Sequence, residues 1–422
     1  MPRASFLFAT LATLALMAAV AAGPASAAPA YVPGELIVKR EGASSSTTVS
    51  VAPGESVKRA AAELDDRRGV AYARPNYIAR ASAYTPNDPG FPLQWNLATS
   101  AAGINMPDAW ATARSLRRPG GRNVVIAVLD TGVAYQRFRR FRRAPDLNRF
   151  VRGYDFVAGD RHPNDQNGHG THVAGTIAQS TGNGVGTAGI AYRARIMPVR
   201  VLDASGAGDT LAISRGIRFA ARRGADVINL SLEFDAGVRA AQIPDIVSAL
   251  TYARRRGAIV IAAAGNQGSP QVAYPARARR VMAVAATTAR GCQAEYSNSG
   301  VHVDIAAPGG GADAANTDTP YDVAICRPGV GGGEFIYQQT FTGSVARFGL
   351  PPGYEGTSMA APHVSGVAAL LIGSGQLGPD PGPVAVERRL KSSARDIGST
   401  GWDPRYGWGL LDAAAALREP AG

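Results

Sequence analysis

Three residues of this chain have the types and surroundings needed to make an activated nucleophile. Ser358 lies in Gly-Thr-Ser-Met-Ala-Ala-Pro-His, residues Gly356 to His363, just before the apolar, helix-compatible run Val364 to Ile372. A serine at a helix N-terminus sits where the backbone dipole favours a developing negative charge. Alone it is a weak nucleophile; it needs a base to take its proton and an acid to orient that base. Upstream, His169 in Asn-Gly-His-Gly-Thr-His-Val-Ala-Gly and Asp130 in Val-Leu-Asp-Thr-Gly offer both. His169 would take the hydroxyl proton and hand it to the leaving amine. Asp130 would fix the imidazole tautomer and stabilise its cation.

The order Asp, His, Ser with these flanks resembles the subtilisin-like serine peptidases, from about Asn87 to about Leu417. The resemblance implies a serine endopeptidase that cuts protein or peptide substrates through an acyl-enzyme on Ser358. It implies no cofactor for the chemistry itself. Ala263-Ala264-Gly265-Asn266 matches the family's strand-end motif, in which the asparagine amide and the serine N–H hold the oxyanion. His172 and His363 fall on helices behind the site and read as structural. Leu230-Ser231-Leu232 resembles the strand that pairs with extended substrate. Gly265, in the strand-end motif, is expected to bind substrate, and Ala273-Tyr274-Pro275 resembles the base of the first specificity pocket, with Ala273 where glycine is common. Where the family continues with glycines this chain has Glu233 and Phe234. Two expectations stand side by side: Glu233 favours arginine or lysine beside the cut, or Leu232, Ala273 and the alanines before Asn266 favour uncharged residues.

Three segments resemble the calcium-binding parts of the thermitase-like branch. They contribute Asp88, Asp146 and Asn183, hard oxygen ligands suited to structural Ca²⁺. The arginine-rich insertion Arg137 to Arg143 departs from the family just before Asp146 and would displace that ligand or repel the ion.

Rival chemistries fit less well. Asp-Thr-Gly also occurs in aspartic peptidases, but those need two such carboxylates and this chain has one Asp-Thr-Gly and no Asp-Ser-Gly. Serine-carboxyl peptidases use acids where this chain has His169. A catalytically inactive, peptide-binding relative is the non-enzyme alternative; such a copy would be expected to lose a triad residue or the asparagine, and none is lost.

The 422 residues suit one large domain plus accessories, and 45% hydrophobic against 18% charged content supports a substantial core. The net charge of +12 is carried almost wholly by arginine, lysine occurring only at Lys39, Lys58 and Lys391. No aromatic-interleaved basic motif points to nucleic acid. The start reads as a signal peptide, 1–27: Arg3, an apolar run from Phe6 to Ala22, then Ala25-Ser26-Ala27. Secretion follows, to the outside or to a periplasm, with no stable membrane anchor. In that setting Cys292 and Cys326 are expected to pair. A monomer is expected.

Residues 28–83 read as a separate unit of strand (Gly34 to Lys39), helix (Ser56 to Arg68) and strand (from Val70), with a loop from Ala43 to Val49. This order resembles the inhibitory propeptide of the family, so the chain's own propeptide is an expected partner. Residues 84–422 form the peptidase domain. Apolar runs at Val124 to Leu129, Ile196 to Leu202, Val227 to Leu232 and Ile259 to Ala264, with an amphipathic helix at Thr210 to Arg223, predict an α/β fold. Its sheet would be doubly wound and mainly parallel, with sites beyond the strands' carboxyl ends. The Gly/Pro-rich stretch 309–353 reads as a surface insertion held by Cys326.

Overall fold

The computed structural model describes residues 31–52, 54–77, 83–314, 326–327, 329–330 and 334–418. The segment 1–27, read as a signal peptide, lies outside the described residues. Two compact units divide the chain between Arg80 and Ala81.

In the first unit, β1 (Tyr31–Arg40), β2 (Thr47–Ser50), α1 (Val57–Asp65) and β3 (Val70–Tyr77) follow in order. The strands form an antiparallel sheet in the order β2-β1-β3. Leu36, Val38 and Ala73 of the sheet meet Val57, Ala60 and Ala61 of α1 in a small core. Strand β2 corrects the loop expected through Val49. Its β-branched Thr47, Thr48 and Val49 pair with Val38, Ile37 and Leu36, and an edge strand of this kind needs no apolar face of its own. Pro75 is tolerated in β3 because that strand is also at an edge.

The second unit runs α2 (Met106–Ser115), β4 (Val125–Asp130), β5 (Tyr154–Asp155), α3 (His169–Ala178), β6 (Arg195–Arg200), α4 (Thr210–Arg222), β7 (Val227–Leu230), α5 (Pro244–Arg255), β8 (Ile259–Ala263), β9 (Met282–Thr287) and β10 (Ile305–Pro308). It ends with β11 (Thr340–Phe341), β12 (Phe348–Gly349), α6 (Thr357–Ser374), α7 (Pro383–Ser392) and α8 (Ala413–Leu417). Seven strands form one sheet in the order β10-β9-β8-β7-β4-β6-β5, and every pair in it is parallel. Alternate residues of β4 serve opposite faces. Ile126 and Val128 join one core with α2, α3 and α6; Val125, Ala127 and Leu129 join the other with α4 and α5. The 18-residue α6 is apolar nearly all round and buried almost throughout, as a helix inside a large domain must be.

Strand order reverses between β4 and β7: from β4 the chain runs to the edge strand β5, comes back to lay β6 between β5 and β4, then crosses to the other side for β7 to β10. Side chains just beyond the carboxyl ends of these neighbours share the crevice that such a switch opens.

The stretch 309–353 is only partly a surface insertion. Ile336, Gln338, Gln339 and Thr340 are buried. The reason is hydrogen bonding: the Gln94 amide donates to the Ala188 and Tyr337 carbonyls, Trp95 Nε1 to the Phe335 carbonyl, and Gln338 to the Ala188 carbonyl. A disulfide joins Cys292 and Cys326, with Cα atoms 5.6 Å apart.

Candidate active site

Asp130 ends β4 and is fully buried. Its Oδ1 accepts from the Thr131 N–H at 2.7 Å and from His169 Nδ1 at 2.8 Å. Its Oδ2 is buried without a partner among the described residues. His169 opens α3, and its side chain stays 25% exposed, enough to face a substrate. Burial works against its protonation, but the charge and hydrogen bond of Asp130 outweigh it and hold the imidazole pKa above its usual value.

Close approach makes this geometry possible. A Cβ on Gly170 would lie 2.1 Å from the Gly132 carbonyl oxygen and 3.0 Å from Asp130 Oδ1. Only a glycine there lets α3 start against the end of β4. Asp165, which the sequence reading passed over, fixes the same corner. Its buried carboxylate accepts from the N–H groups of Asn167, Gly168 and Thr171 and from the hydroxyls of Thr131 and Thr171. The sequence signal was there: an acid four residues before a helix-opening histidine is well placed to collect orphan N–H groups.

Ser358 is the second residue of α6. Pro362, four residues on, has no N–H for the Ser358 carbonyl. The Ser231 hydroxyl takes that place, donating to it at 2.8 Å. Asn229 Nδ2 donates to Ser231 Oγ, and Ser365 Oγ donates to Asn229 Oδ1, so the serine helix is pinned to the end of β7. Ser358 Oγ donates to the Ser231 carbonyl at 3.3 Å. No hydrogen bond joins Ser358 to His169 among the described residues, yet both line one cleft of about 550 Å³. Resting nucleophile–base contacts are often long and tighten with substrate.

Asn266 follows β8 across Gly265, whose φ of +115° and tight surroundings exclude a side chain. Asn266 Oδ1 accepts from the Thr357 N–H at 2.7 Å and the Thr357 hydroxyl at 3.0 Å. That fixes which end of the amide is nitrogen. Nδ2 donates to Glu233 Oε1 at 3.3 Å, and Glu233 Oε2 accepts the Asn266 backbone N–H at 2.7 Å. Glu233 thus lines the cleft with its carboxylate already committed to Asn266. Burial pushes its pKa up, with the charge of Asp235 adding to the shift. Ser231, Leu232 and Phe234 line the cleft as well. Gly265 and Ala273 are buried, Ala273 donating its N–H to the Ala264 carbonyl.

His172 and His363 are built into the core. His172 Nε2 donates to the Ile336 carbonyl and its ring stacks on Tyr354 at 4.2 Å. His363 Nδ1 donates to the Met359 carbonyl while its Nε2 accepts from Asn96 Nδ2. Burial lowers their pKa values to about 3 and about 4, so both stay neutral.

Away from the cleft, Asp88, Asp146 and Asn183 come together. Asp88 accepts the N–H groups of Gly182 and Asn183; Asp146 accepts from Asn183 Nδ2 at 2.7 Å and Gln179 Nε2 at 3.2 Å. Both carboxylates are buried and neither has an ion pair among the described residues. Burial raises the Asp146 pKa, and the Asp88 charge adds to it. Two buried carboxylates side by side, whose partners among the described residues are neutral N–H donors, are hard oxygen ligands of the kind a divalent ion takes. No cluster of three or more His, Cys, Asp or Glu gathers among the described residues, so amide and backbone oxygens would complete any such set. The arginine-rich insertion leaves this set intact. It forms a tight turn bridging Phe138 and Phe141, with Arg139 and Arg140 over those rings.

The model of the subtilase family, peptidase S8, matches residues 121–409. The chain is 36% identical over 346 residues to a thermophilic serine proteinase of Bacillus sp. (strain AK1), covering 82% of this chain and 72% of that one. It is 36% identical over 319 residues to thermitase of Thermoactinomyces vulgaris, covering 75% and 94%. The solved structure of a protease from Pseudoalteromonas arctica PAMC 21717 superposes with a TM-score of 0.63 at 35% identity, covering 79% of this chain and 98% of that one.

Because Asp130 holds the His169 pKa up, the imidazole should titrate in NMR with a midpoint above about 6.5. Asp130→Asn removes that charge and should move the midpoint down; an unmoved midpoint would show that the contact does not govern His169.

Proposed function

The chain belongs to the subtilase family and is a subtilisin-like serine endopeptidase, and from that premise we propose that Asp130, His169 and Ser358 act as its catalytic triad. The observation that carries the reading is the 2.8 Å bond from His169 Nδ1 to buried Asp130, at the rim of the cleft that Ser358 and Asn266 also line. With Nδ1–H given to Asp130, Nε2 keeps its lone pair. When a peptide enters, Ser358 Oγ leaves the Ser231 carbonyl, turns to His169 Nε2 and attacks the scissile carbonyl carbon. His169 takes the proton; the Asp130 charge stabilises the resulting imidazolium. The oxyanion forms opposite Asn266 Nδ2 and the N–H of Ser358, which at a helix start has no partner in its own helix. His169 then gives the proton to the departing amine. Water, activated by the same imidazole, releases the acyl group.

Substrate lies along Ser231 and Leu232 as an added strand, with Gly265 and Ala273 behind the first pocket. Glu233 acts as a positioning residue. It holds one hydrogen of the Asn266 amide so that the other faces the oxyanion. This binding of Asn266 competes with direct pairing to a substrate cation, which favours the uncharged preference beside the cut.

The unit covering 28–83 is proposed to be the inhibitory propeptide, preceded by a signal for secretion and removed by the enzyme itself. Asp88, Asp146 and the oxygens of the Asn183 loop are proposed to hold a structural calcium ion, which would neutralise the two buried carboxylates.

Purified Ser358→Ala precursor should remain uncleaved and should not hydrolyse peptides; processing of that protein with no other peptidase present would refute self-maturation. Asn266→Ala should lower kcat about 100- to 1,000-fold with little change in KM. Glu233→Gln, which keeps an acceptor for the backbone N–H, should retain more kcat than Glu233→Ala; equal values would remove Glu233 from the positioning role. Calcium at about 100 times its Kd should stabilise the fold by about 2.7 kcal/mol, read as a rise in Tm over the chelated protein. Asp88→Ala and Asp146→Ala should abolish that rise, and an unchanged response would show that the ligands lie elsewhere.

A further inference from the structure

A second concavity, of about 370 Å³, opens beside β5 and the part of α4 from Arg215 onward. Arg152 and Arg161 enter it from the β5 region, and Arg215, Arg222 and Arg223 from α4 and its end. All five are exposed, and none makes a side-chain hydrogen bond or an ion pair among the described residues. Elsewhere in this unit buried arginines are paired: Arg200 with Asp155 and Arg254 with Glu387. Two acids lie in the same segment, and only Asp155 is ion-paired among the described residues; Asp160 is exposed and keeps its charge beside Arg161. Asp155 is spent on Arg200, and Asp160 Oδ1 accepts the His162 N–H. Five like charges facing one hollow repel each other. The arrangement gains free energy only when an anion enters, and a concave wall concentrates that field.

The floor is aromatic. Tyr154, Phe156 and Phe219 pack with ring centroids 4.8 to 5.9 Å apart, and the Arg223 guanidinium lies over the Phe219 ring at 5.4 Å. Guanidinium groups bind phosphate oxygens through paired N–H donors. A rim of five such groups around an apolar floor therefore suits several phosphate charges on one carbon skeleton. We propose that this hollow is a binding site for a multivalent phosphate ligand.

Helix α4 joins the two sites. Its first turn brings Ile213 to the catalytic cleft and its end brings Arg222 to the hollow. Nine residues, about 13 to 14 Å along the helix, separate Ile213 from Arg222, and the two cavities share no lining residue. A phosphate ligand therefore occupies the hollow without filling the cleft, and would hold the enzyme on a phosphate-rich carrier while substrate is cut.

Calorimetry of the full chain carrying Ser358→Ala, with tripolyphosphate as probe and no divalent cation, tests this. Saturable binding near one site is expected, weakening as salt shortens the screening length. Adding Arg215→Gln and Arg222→Gln should weaken it at least about tenfold, since each charge-assisted contact carries that much or more. The control Arg279→Gln with Arg388→Gln removes equal charge elsewhere and should change binding less than about twofold. With Ser358 intact, the Arg215→Gln/Arg222→Gln protein should hydrolyse peptides at the parent rate. Competition by phosphatidylglycerol vesicles would mark a lipid headgroup as the carrier, and none a soluble phosphate; either supports the site. No saturable binding, or equal losses in the two double variants, would overturn it.

Discussion

The Asp130 carboxylate is fully buried at the end of a central strand, and the rest of the site is arranged to make that tolerable. Burying an unpaired charge costs several kcal/mol. Here the charge receives one backbone N–H and one imidazole N–H. Meeting the imidazole requires α3 to begin against β4, which requires glycine at position 170. Holding α3 there requires the five donors gathered by Asp165 and the packing of the buried segment around Ile336, whose carbonyl anchors His172 one turn along. Thr340 closes the same corner by donating to the Gly168 carbonyl.

The serine side obeys a parallel logic. Pro362 removes one helix hydrogen bond, and the freed carbonyl of Ser358 ties α6 to Ser231. Thr357 and Glu233 grip opposite ends of the Asn266 amide, so its orientation is set before substrate arrives. Each clamp is small, about 0.5 to 1.5 kcal/mol net by the usual measure of a hydrogen bond. Together they spare reorganisation during the reaction, which is where preorganised donors gain their effect. Because strand order reverses between β4 and β7, both halves open onto one crevice.

What could be read from the sequence follows what each signal depends on. Strands β4, β6, β7 and β8 are apolar runs buried on both faces, and the sequence shows them directly. The alanine-rich β9, Met282–Thr287, lacks that bulk and was missed. The two-residue β5 is too short for any pattern. Gln338 and Gln339 looked like surface residues, yet they are buried because they satisfy carbonyls and amides that no local pattern reveals. Asp130, His169, Ser358 and Asn266 stand in short motifs that the sequence displays directly, and the fold brings His169, Ser358 and Asn266 to one cleft with Asp130 bonded to His169. The committed state of Glu233 was not legible, since it depends on a residue 33 positions away. The arginine hollow was equally hidden, its cations coming from separate segments that only the fold unites.

The most direct test of this account is the rate at which a fluorophosphonate modifies the mature protein, followed across pH with the modified residue identified by mass spectrometry. The parent should be modified at Ser358 alone, faster as pH rises through the titration of His169. Asp130→Asn should react roughly 10,000-fold more slowly. Modification at another residue, or an Asp130→Asn protein that reacts at the parent rate, would contradict the claim that a buried carboxylate arms Ser358 through His169.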